Sequence, residues 1–106
     1  MPKYLFHASY TEEGLKGLFK EGGSSRRDAV AQAIKGLGGT LEAFYYAFGD
    51  TDVFAIADLP DNVSTTAFAL IINAAGTAKV KTTVLITPKE VDQAVKKGVD
   101  YRPPGQ

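Results

Sequence analysis

His7 is the residue best suited to acid–base chemistry in this chain of 106 residues, and it is the only histidine. Imidazole is the one side chain whose ordinary pKa lies near neutrality. If His7 faces a cavity, it could act as a general base on a phenol-like or enolisable ligand. The alternative is a structural histidine that is hydrogen-bonded within an interface, which is the commoner situation.

Tyr46 and Asp52 are the residues that could assist His7 in catalysis. Tyr45 and Tyr46 point to opposite faces of a strand, so at most one of them lines a cavity, and the alternation favours Tyr46. Its hydroxyl could orient a ligand while its ring packs, although an aromatic side chain at this spacing is more often part of a core. Asp50 and Asp52 lack a third acidic ligand, so no metal site is predicted.

Four further residues are candidates for ligand binding because the alternation places them on the same sheet face as His7: Ser9, Glu42, Phe44 and Phe54. Glu42 has two interpretations. It either forms a structural ion pair with Lys81 across the sheet, which we favour, or it has a raised pKa in an apolar cavity and serves as an acid.

Arg27 is a candidate anion ligand. It ends the segment 22–27 (GGSSRR), which resembles an anion-binding nest at a helix N-terminus. The segment lacks the lysine and the spacing of a P-loop, so nucleotide hydrolysis is not indicated. The alternative is an ordinary helix start with capping residues.

The composition excludes several classes of function. Twelve basic and twelve acidic residues cancel, which argues against a nucleic-acid or anionic-membrane partner. Phe6 and Phe54 lie roughly where RNA-binding modules of this topology stack bases, but the basic, glycine-containing RNA signature is missing. There is no cysteine, hence no disulfide or zinc–thiolate site. With no signal-like or membrane-length apolar run, we expect a cytoplasmic protein without a cofactor.

The sequence predicts the element order β-α-β-β-α-β followed by a short helix. A strand covers 4–10, and Thr11 caps a helix that Gly22-Gly23 interrupts and that a Ser25–Asp28 capping box restarts. Gly49-Asp50 forms a tight turn between strands 41–48 and 53–59. The remaining elements are a helix capped by Asp61 or Asn62, a strand over 79–86 and a helix over 88–97. One domain, 1–98, is followed by an extended tail, 99–106.

This order predicts an α+β, ferredoxin-like sandwich with both long helices on one face of the sheet. Small or β-branched side chains would face the helices, including Ala43, Tyr45 and Ala47 on the second strand. The helix-free face would carry a large apolar patch: Phe44, Phe48, Phe54, Ile56 and Leu85. Such a patch predicts a symmetric dimer packed sheet against sheet, as a dimeric α+β barrel.

Residues spread over positions 3 to 90 carry a family resemblance: Tyr4, Tyr10, Thr11, Gly14, Arg27, Leu37, Gly38, Gly39, Gly49, Asp52, Val53, Ala67, Leu70, Thr82 and Thr83. On these residues the chain resembles the GYD-domain family, small bacterial proteins named for a Gly-Tyr-Asp motif at the hairpin. Here Thr51 stands before the aspartate in place of the tyrosine. The resemblance implies kinship with dimeric α+β barrel proteins, which include cofactor-free monooxygenases, haem-handling enzymes, dehalogenating or lactone-isomerising enzymes and ligand-sensing modules.

Three functions are compatible with these features. The first is a small homodimeric module that binds a small molecule in a cavity between its sheets. The second is a cofactor-independent monooxygenase- or isomerase-like enzyme on the same scaffold, with His7 as base and Tyr46 or Asp52 assisting. The third is a structural or regulatory interaction domain whose sheet face only forms the dimer.

Overall fold

The computed structural model describes residues 1–47 and 49–106. It contains four strands and four helices in the predicted order, with the first long helix divided in two. In chain order they are β1 (Lys3–Tyr10), α1 (Glu12–Glu21), α2 (Gly23–Gly36), β2 (Thr40–Tyr46), β3 (Val53–Asp58), α3 (Asn62–Ala75), β4 (Ala78–Leu85) and α4 (Pro88–Val95).

The helix starts follow local capping chemistry. The Thr11 side chain accepts a hydrogen bond from the backbone N–H of Gly14, which fixes the start of α1 as predicted. Thr87 and Glu90 form the reciprocal capping box of α4. The predicted Ser25–Asp28 box is wrong, because α2 already begins at Gly23. Its N-cap is Gly22, whose φ of 85° is one that residues with a side chain rarely adopt. Gly22 also separates α1 from α2.

The four strands form one antiparallel sheet in the order β2-β3-β1-β4. This is the ferredoxin-like arrangement expected from the sequence. Both long helices cover the same face, since Ile34 of α2 and Phe68 of α3 belong to one core cluster with Tyr4 and Phe6 of β1. The core is completed by small side chains of β3, Val53, Ala55 and Ala57, so the helices approach the sheet closely there.

The predicted facing of β2 is wrong, and the cause is a β-bulge at Glu42. Leu41 lies opposite Ala57, but Ala43 already lies opposite Ile56, so β2 carries one extra residue. Beyond the bulge, Phe44 and Tyr46 lie opposite Ala55 and Val53, on the helix-covered face. Ala43 and Tyr45 lie on the other face, since each side chain shares the face of its cross-strand partner.

The other three strands face as predicted. Leu5, His7 and Ser9 of β1 lie on the helix-free face, and Phe54, Ile56 and Asp58 of β3 share it through direct pairing with β1. From β4 this face receives Lys79, Lys81, Thr83 and Leu85. We call these side chains, with Glu42, Ala43 and Tyr45, the open sheet face. Phe48, which the alternation also assigns to it, lies outside the described residues.

The predicted buried face of α3 is only partly confirmed. Phe68 is buried and packs edge-on against Phe6, with ring centroids 5.1 Å apart. Leu70 and Ile71 are 64% and 67% exposed, however, and Ala67 and Ala74 are exposed as well. Ile71 is exposed because it lines a gap between α3 and α2. Ala67, Leu70 and Ala74 lie on the outer side of α3, away from Phe68 and the sheet.

In the hairpin, β2 ends at Tyr46, earlier than the predicted strand 41–48, and β3 begins at Val53 as predicted. Every residue of the C-terminal segment from 86 to 106 is exposed. It extends the molecule, whose radius of gyration is 17.0 Å, against about 13 Å for a compact chain of this length. The segment therefore leaves the open sheet face uncovered.

Candidate functional site

An apolar cavity lies between α2 and α3 on the helix-covered face of the sheet. Its volume is about 230 Å³. Its floor is the sheet surface, formed by side chains of all four strands and of the loop before β4: Ala8, Tyr10, Phe44, Val53, Thr77 and Ala78. We call this space the helix cleft. It is present in a single copy of the chain.

The two walls of the helix cleft have the same helical spacing. On α2 they are Arg26, Ala29, Val30 and Ala33, and on α3 they are Phe68, Ile71, Ile72 and Ala75. Residues at i, i+3, i+4 and i+7 lie along one side of a helix, so each helix presents a continuous stripe to the gap. The alanines on α2 are too small to reach α3, which is why a cavity remains between the helices.

One end of the helix cleft is polar. Arg26, Tyr10 and Thr77 line it, and the same three residues line a second pocket that also contains Glu13 and Glu21. The guanidinium of Arg26 lies 3.5 Å from the carboxylate of Glu21, and both side chains are partly exposed. A guanidinium has five N–H donors, so this single contact leaves donors that can bind a ligand.

Tyr46 lies next to the residues at this end of the cleft. Its hydroxyl donates a hydrogen bond to the carbonyl oxygen of Gly23, at 2.9 Å. Burial, together with the nearby Tyr10 hydroxyl, raises the pKa of Tyr46 to about 12, while the charge of Arg26 acts in the opposite direction. Tyr46 therefore remains a neutral phenol. It does not share a sheet face with His7, so the prediction that it assists His7 is wrong.

Phe44 is the second site residue whose predicted face is wrong. It lies on the helix-covered face and lines the helix cleft, with its ring 5.2 Å from that of Tyr46 in an edge-on arrangement. An edge-on contact is a favourable geometry for two aromatic rings. Phe44 is therefore held in position as part of the cleft floor.

The open sheet face brings together three of the predicted site residues. The rings of His7 and Phe54, which are cross-strand partners, lie 5.4 Å apart in a tilted arrangement. Ser9 lies further along the same strand, where its hydroxyl donates to the backbone oxygen of Asp50 at 3.0 Å. His7 is half-buried by this packing, and it is the titratable group nearest to the centre of the face.

Glu42 also lies on the open sheet face, but its ion-pair partner differs from the prediction. Lys3 is 3.0 Å from Glu42 and 3.0 Å from Asp58, which excludes the predicted pairing with Lys81. The carboxylates of Asp58 and Glu42 raise the pKa of Lys3. The single ammonium group of Lys3 thus pairs with two carboxylates, so this corner of the face has a net negative charge.

The side chains of Asp52 and Arg27 are bound locally. The carboxylate of Asp52 accepts a hydrogen bond from the backbone N–H of Tyr10 at 2.8 Å. Arg27 forms an ion pair with its neighbour Asp28 at 2.9 Å, with both side chains more than half exposed. The proposed catalytic set of His7, Tyr46 and Asp52 is therefore not assembled at one place in a single copy of the chain.

The apolar stripes that line the helix cleft can be recognised in the sequence, but they do not show that a cavity lies between the two helices. The stripes on α2 and α3 are indistinguishable by periodicity from the faces of two helices that touch each other. The size of the side chains does not decide either, because small residues such as Ala29 and Ala33 opposite larger ones fit both a close helix pair and an open gap. Tyr10 was not predicted as a site residue, and Arg26 was included only as part of the anion-binding segment 22–27.

Within the described residues no group of three or more histidine, aspartate or glutamate side chains could hold a metal ion. In the same part of the chain, every helix is too short or too polar to cross a membrane.

Comparison with known proteins identifies a family. The model of the family described as GYD domain matches residues 4–95. A search of curated proteins finds no match. The matched region extends from β1 into α4, and so includes all four strands and both walls of the helix cleft. The chain therefore belongs to the GYD-domain family.

Proposed function

We propose that this protein is a homodimeric module that binds a small molecule between the open sheet faces of its two subunits. The observation that supports the dimer is the composition of that face. Its centre is apolar, with Leu5, Ile56 and Phe54 side by side, and Phe54 and Tyr45 are 39% and 71% exposed in a single copy. A contiguous apolar patch of this kind marks an interaction surface.

The charges on the open sheet face favour a second copy of the chain as the partner. Glu42 and Asp58 lie at one corner and share Lys3. Lys79 and Lys81 lie towards the opposite corner, on the other edge strand, and neither has an ion-pair partner among the described residues. The face is therefore negative at one corner and positive at the diagonally opposite one, which makes it complementary to itself.

This charge pattern selects one geometry for the dimer. A two-fold axis along the other diagonal, through Phe54 and Leu5, brings Lys81 towards the partner's Asp58 and Lys79 towards the partner's Glu42. Such an axis runs obliquely to the strands, so the strands of the two sheets cross at a large angle. The two Phe54 rings then meet at the centre of the interface.

The ligand would occupy the space beside His7. A phenol-like molecule could stack on the Phe54 ring while its hydroxyl bonds to the imidazole of His7, which lies 5.4 Å from that ring. The site supplies binding groups and a single proton acceptor. Because Tyr46 lies on the other face and Asp52 is bound to Tyr10, binding is favoured over catalysis.

Sedimentation at micromolar concentration tests the dimer. We expect the unaltered chain to sediment as a dimer and Phe54→Glu as a folded monomer, because a carboxylate at the centre of an apolar interface has no partner. Phe19→Glu is the matched control, since Phe19 lies on α1 and is 92% exposed, and it should remain a dimer. A monomeric unaltered chain, or a dimeric Phe54→Glu, would contradict the proposal.

Phenol as a probe tests the ligand site. In the dimer it should shift the NMR signals of His7 and Phe54, and His7→Ala should weaken its binding about tenfold, corresponding to the loss of one good hydrogen bond. The same affinity in His7→Ala as in the unaltered chain would exclude a site at the imidazole.

A further inference from the structure

We propose that the helix cleft is a second, independent binding site, and that its ligand is a small carboxylic acid with one aromatic ring. The ring would lie between α2 and α3 on the sheet floor, and the carboxylate would bind to Arg26 at the polar end. This site is on the opposite face of the sheet from the dimer interface, so it does not depend on dimerisation.

The size of the cavity selects the body of the ligand. An apolar cavity of about 150 Å³ holds one benzene molecule, and the helix cleft has about 230 Å³. The difference is sufficient for a ring with a two- or three-atom side chain. Drug-sized ligands need about 300 Å³ or more, so larger cofactors and nucleotides do not fit.

The walls of the cavity favour an aromatic ring. Phe44 contributes from the floor, on β2, and Phe68 from the wall that α3 forms. Both are held by edge-on contacts to other rings, Phe44 to Tyr46 at 5.2 Å and Phe68 to Phe6 at 5.1 Å. A ligand ring between them meets aromatic surfaces that are already fixed, so little side-chain entropy is lost on binding.

The charge at the polar end favours a carboxylate. Among the described residues, Arg26 is the only charged one that lines the cleft, and its guanidinium fork fits the two oxygens of a carboxylate. Glu21 contacts one guanidinium nitrogen at 3.5 Å from outside the cleft, and Glu13 lies in the adjoining pocket. The contact with Glu21 keeps the guanidinium of Arg26 at the end of the cleft. The negative charges of Glu13 and Glu21 repel a ligand carboxylate from the adjoining pocket, so the carboxylate binds at Arg26.

The hydroxyl groups at this end complete the site. Tyr10 and Thr77 line the cleft beside Arg26, and a neutral hydroxyl can donate to a carboxylate oxygen. Tyr46 stays a neutral phenol behind them because its pKa is about 12. At physiological pH, Tyr46 therefore places no negative charge near the ligand carboxylate.

NMR titration with 3-phenylpropionate tests the proposal, with 3-phenylpropanol as the uncharged analogue. We expect 3-phenylpropionate to shift the signals of Ala29, Ala33 and Ile72 and to bind at least about tenfold more tightly than the alcohol. Arg26→Gln should remove this preference. Arg27→Gln is the matched control, because Arg27 is the next residue on α2 but does not line the cleft, and it should keep the preference.

A second variant tests the location without altering the charge. Ala33→Leu adds a side chain that fills the cavity and should abolish binding of both probes, while Gln32→Leu, on the exposed side of α2, should bind normally. The titrations can be repeated in the monomeric Phe54→Glu variant, where the helix cleft should bind unchanged. Unchanged affinity in Ala33→Leu, no preference for the acid, or shifts confined to the open sheet face would each overturn the proposal.

Discussion

The carboxylate of Asp52 accepts a hydrogen bond from the backbone N–H of Tyr10, at 2.8 Å, where β1 ends. The backbone of Asp52 also donates to Ala8 at 2.9 Å and accepts from Ala47 at 2.8 Å. One residue thus joins β1, the end of β2 and the start of β3. Because Tyr10 lines the polar end of the helix cleft, Asp52 fixes the position of that end.

Replacing Asp52 by alanine should therefore destabilise the fold. The half-buried N–H of Tyr10 would lose its partner, which costs about 1–2 kcal/mol. Asp50→Ala is the control at the same loop, because the Asp50 side chain is exposed, and it should change the free energy of unfolding by less than about 0.5 kcal/mol. Urea unfolding followed by circular dichroism measures both; equal effects of the two variants would refute the structural role of Asp52.

Two glycines of α1 should respond oppositely to alanine. A Cβ at Gly14 would collide with the backbone carbonyl of Thr77, whereas a Cβ at Gly17 meets no atom within 4 Å. We expect Gly14→Ala to lower the free energy of unfolding by about 2–3 kcal/mol through overpacking. Gly17→Ala should raise it by up to about 1 kcal/mol through helix propensity. Thermal unfolding of the pair measures the difference; a tolerated Gly14→Ala would mean that α1 does not dock on the loop before β4.

Acid should weaken the start of α3. The carboxylate of Asp61 caps this helix by accepting a hydrogen bond from the backbone N–H of Ser64 at 2.8 Å, and this bond lowers the pKa of Asp61 below 3.8. A lowered pKa in the folded state means that the cap contributes stability above pH 4 or so and loses it as the pH falls through the folded value.

Asp61→Asn provides the test of this pH dependence. Asparagine is also a good N-cap but does not titrate, so the variant should lose less stability than the unaltered chain when the pH is lowered from 7 to about 2. Urea unfolding at both pH values measures the difference. An identical loss of stability in the two proteins would show that the cap does not contribute to the acid response.

The order of the elements could be predicted from the sequence because each boundary has its own local chemistry. Thr11 and Thr87 cap helices through their side chains, and Gly22 and Gly76 occupy positive-φ positions at helix ends. These signals involve residues only a few positions apart, so they can be recognised without knowledge of the fold. The antiparallel sheet follows from the order of the elements.

The facing of β2 and the helix cleft could not be predicted, for two different physical reasons. The bulge at Glu42 depends on the pairing with β3, which regular alternation along β2 does not reveal. The cleft depends on the distance between α2 and α3, which is determined by how each helix packs on the sheet. Val30 and Phe68 fit either a closed or an open pair of helices, so periodicity alone cannot distinguish the two.

The bulge also determines where this chain can change in length. Removing Glu42 would leave a regular strand in which Leu41 and Phe44 stay on the helix-covered face. A one-residue deletion or insertion elsewhere in β2 would instead move side chains such as Tyr45 from one face of the sheet to the other. Natural relatives that gain or lose a codon in this strand should therefore do so at positions 42–43, and the helix cleft would survive the change.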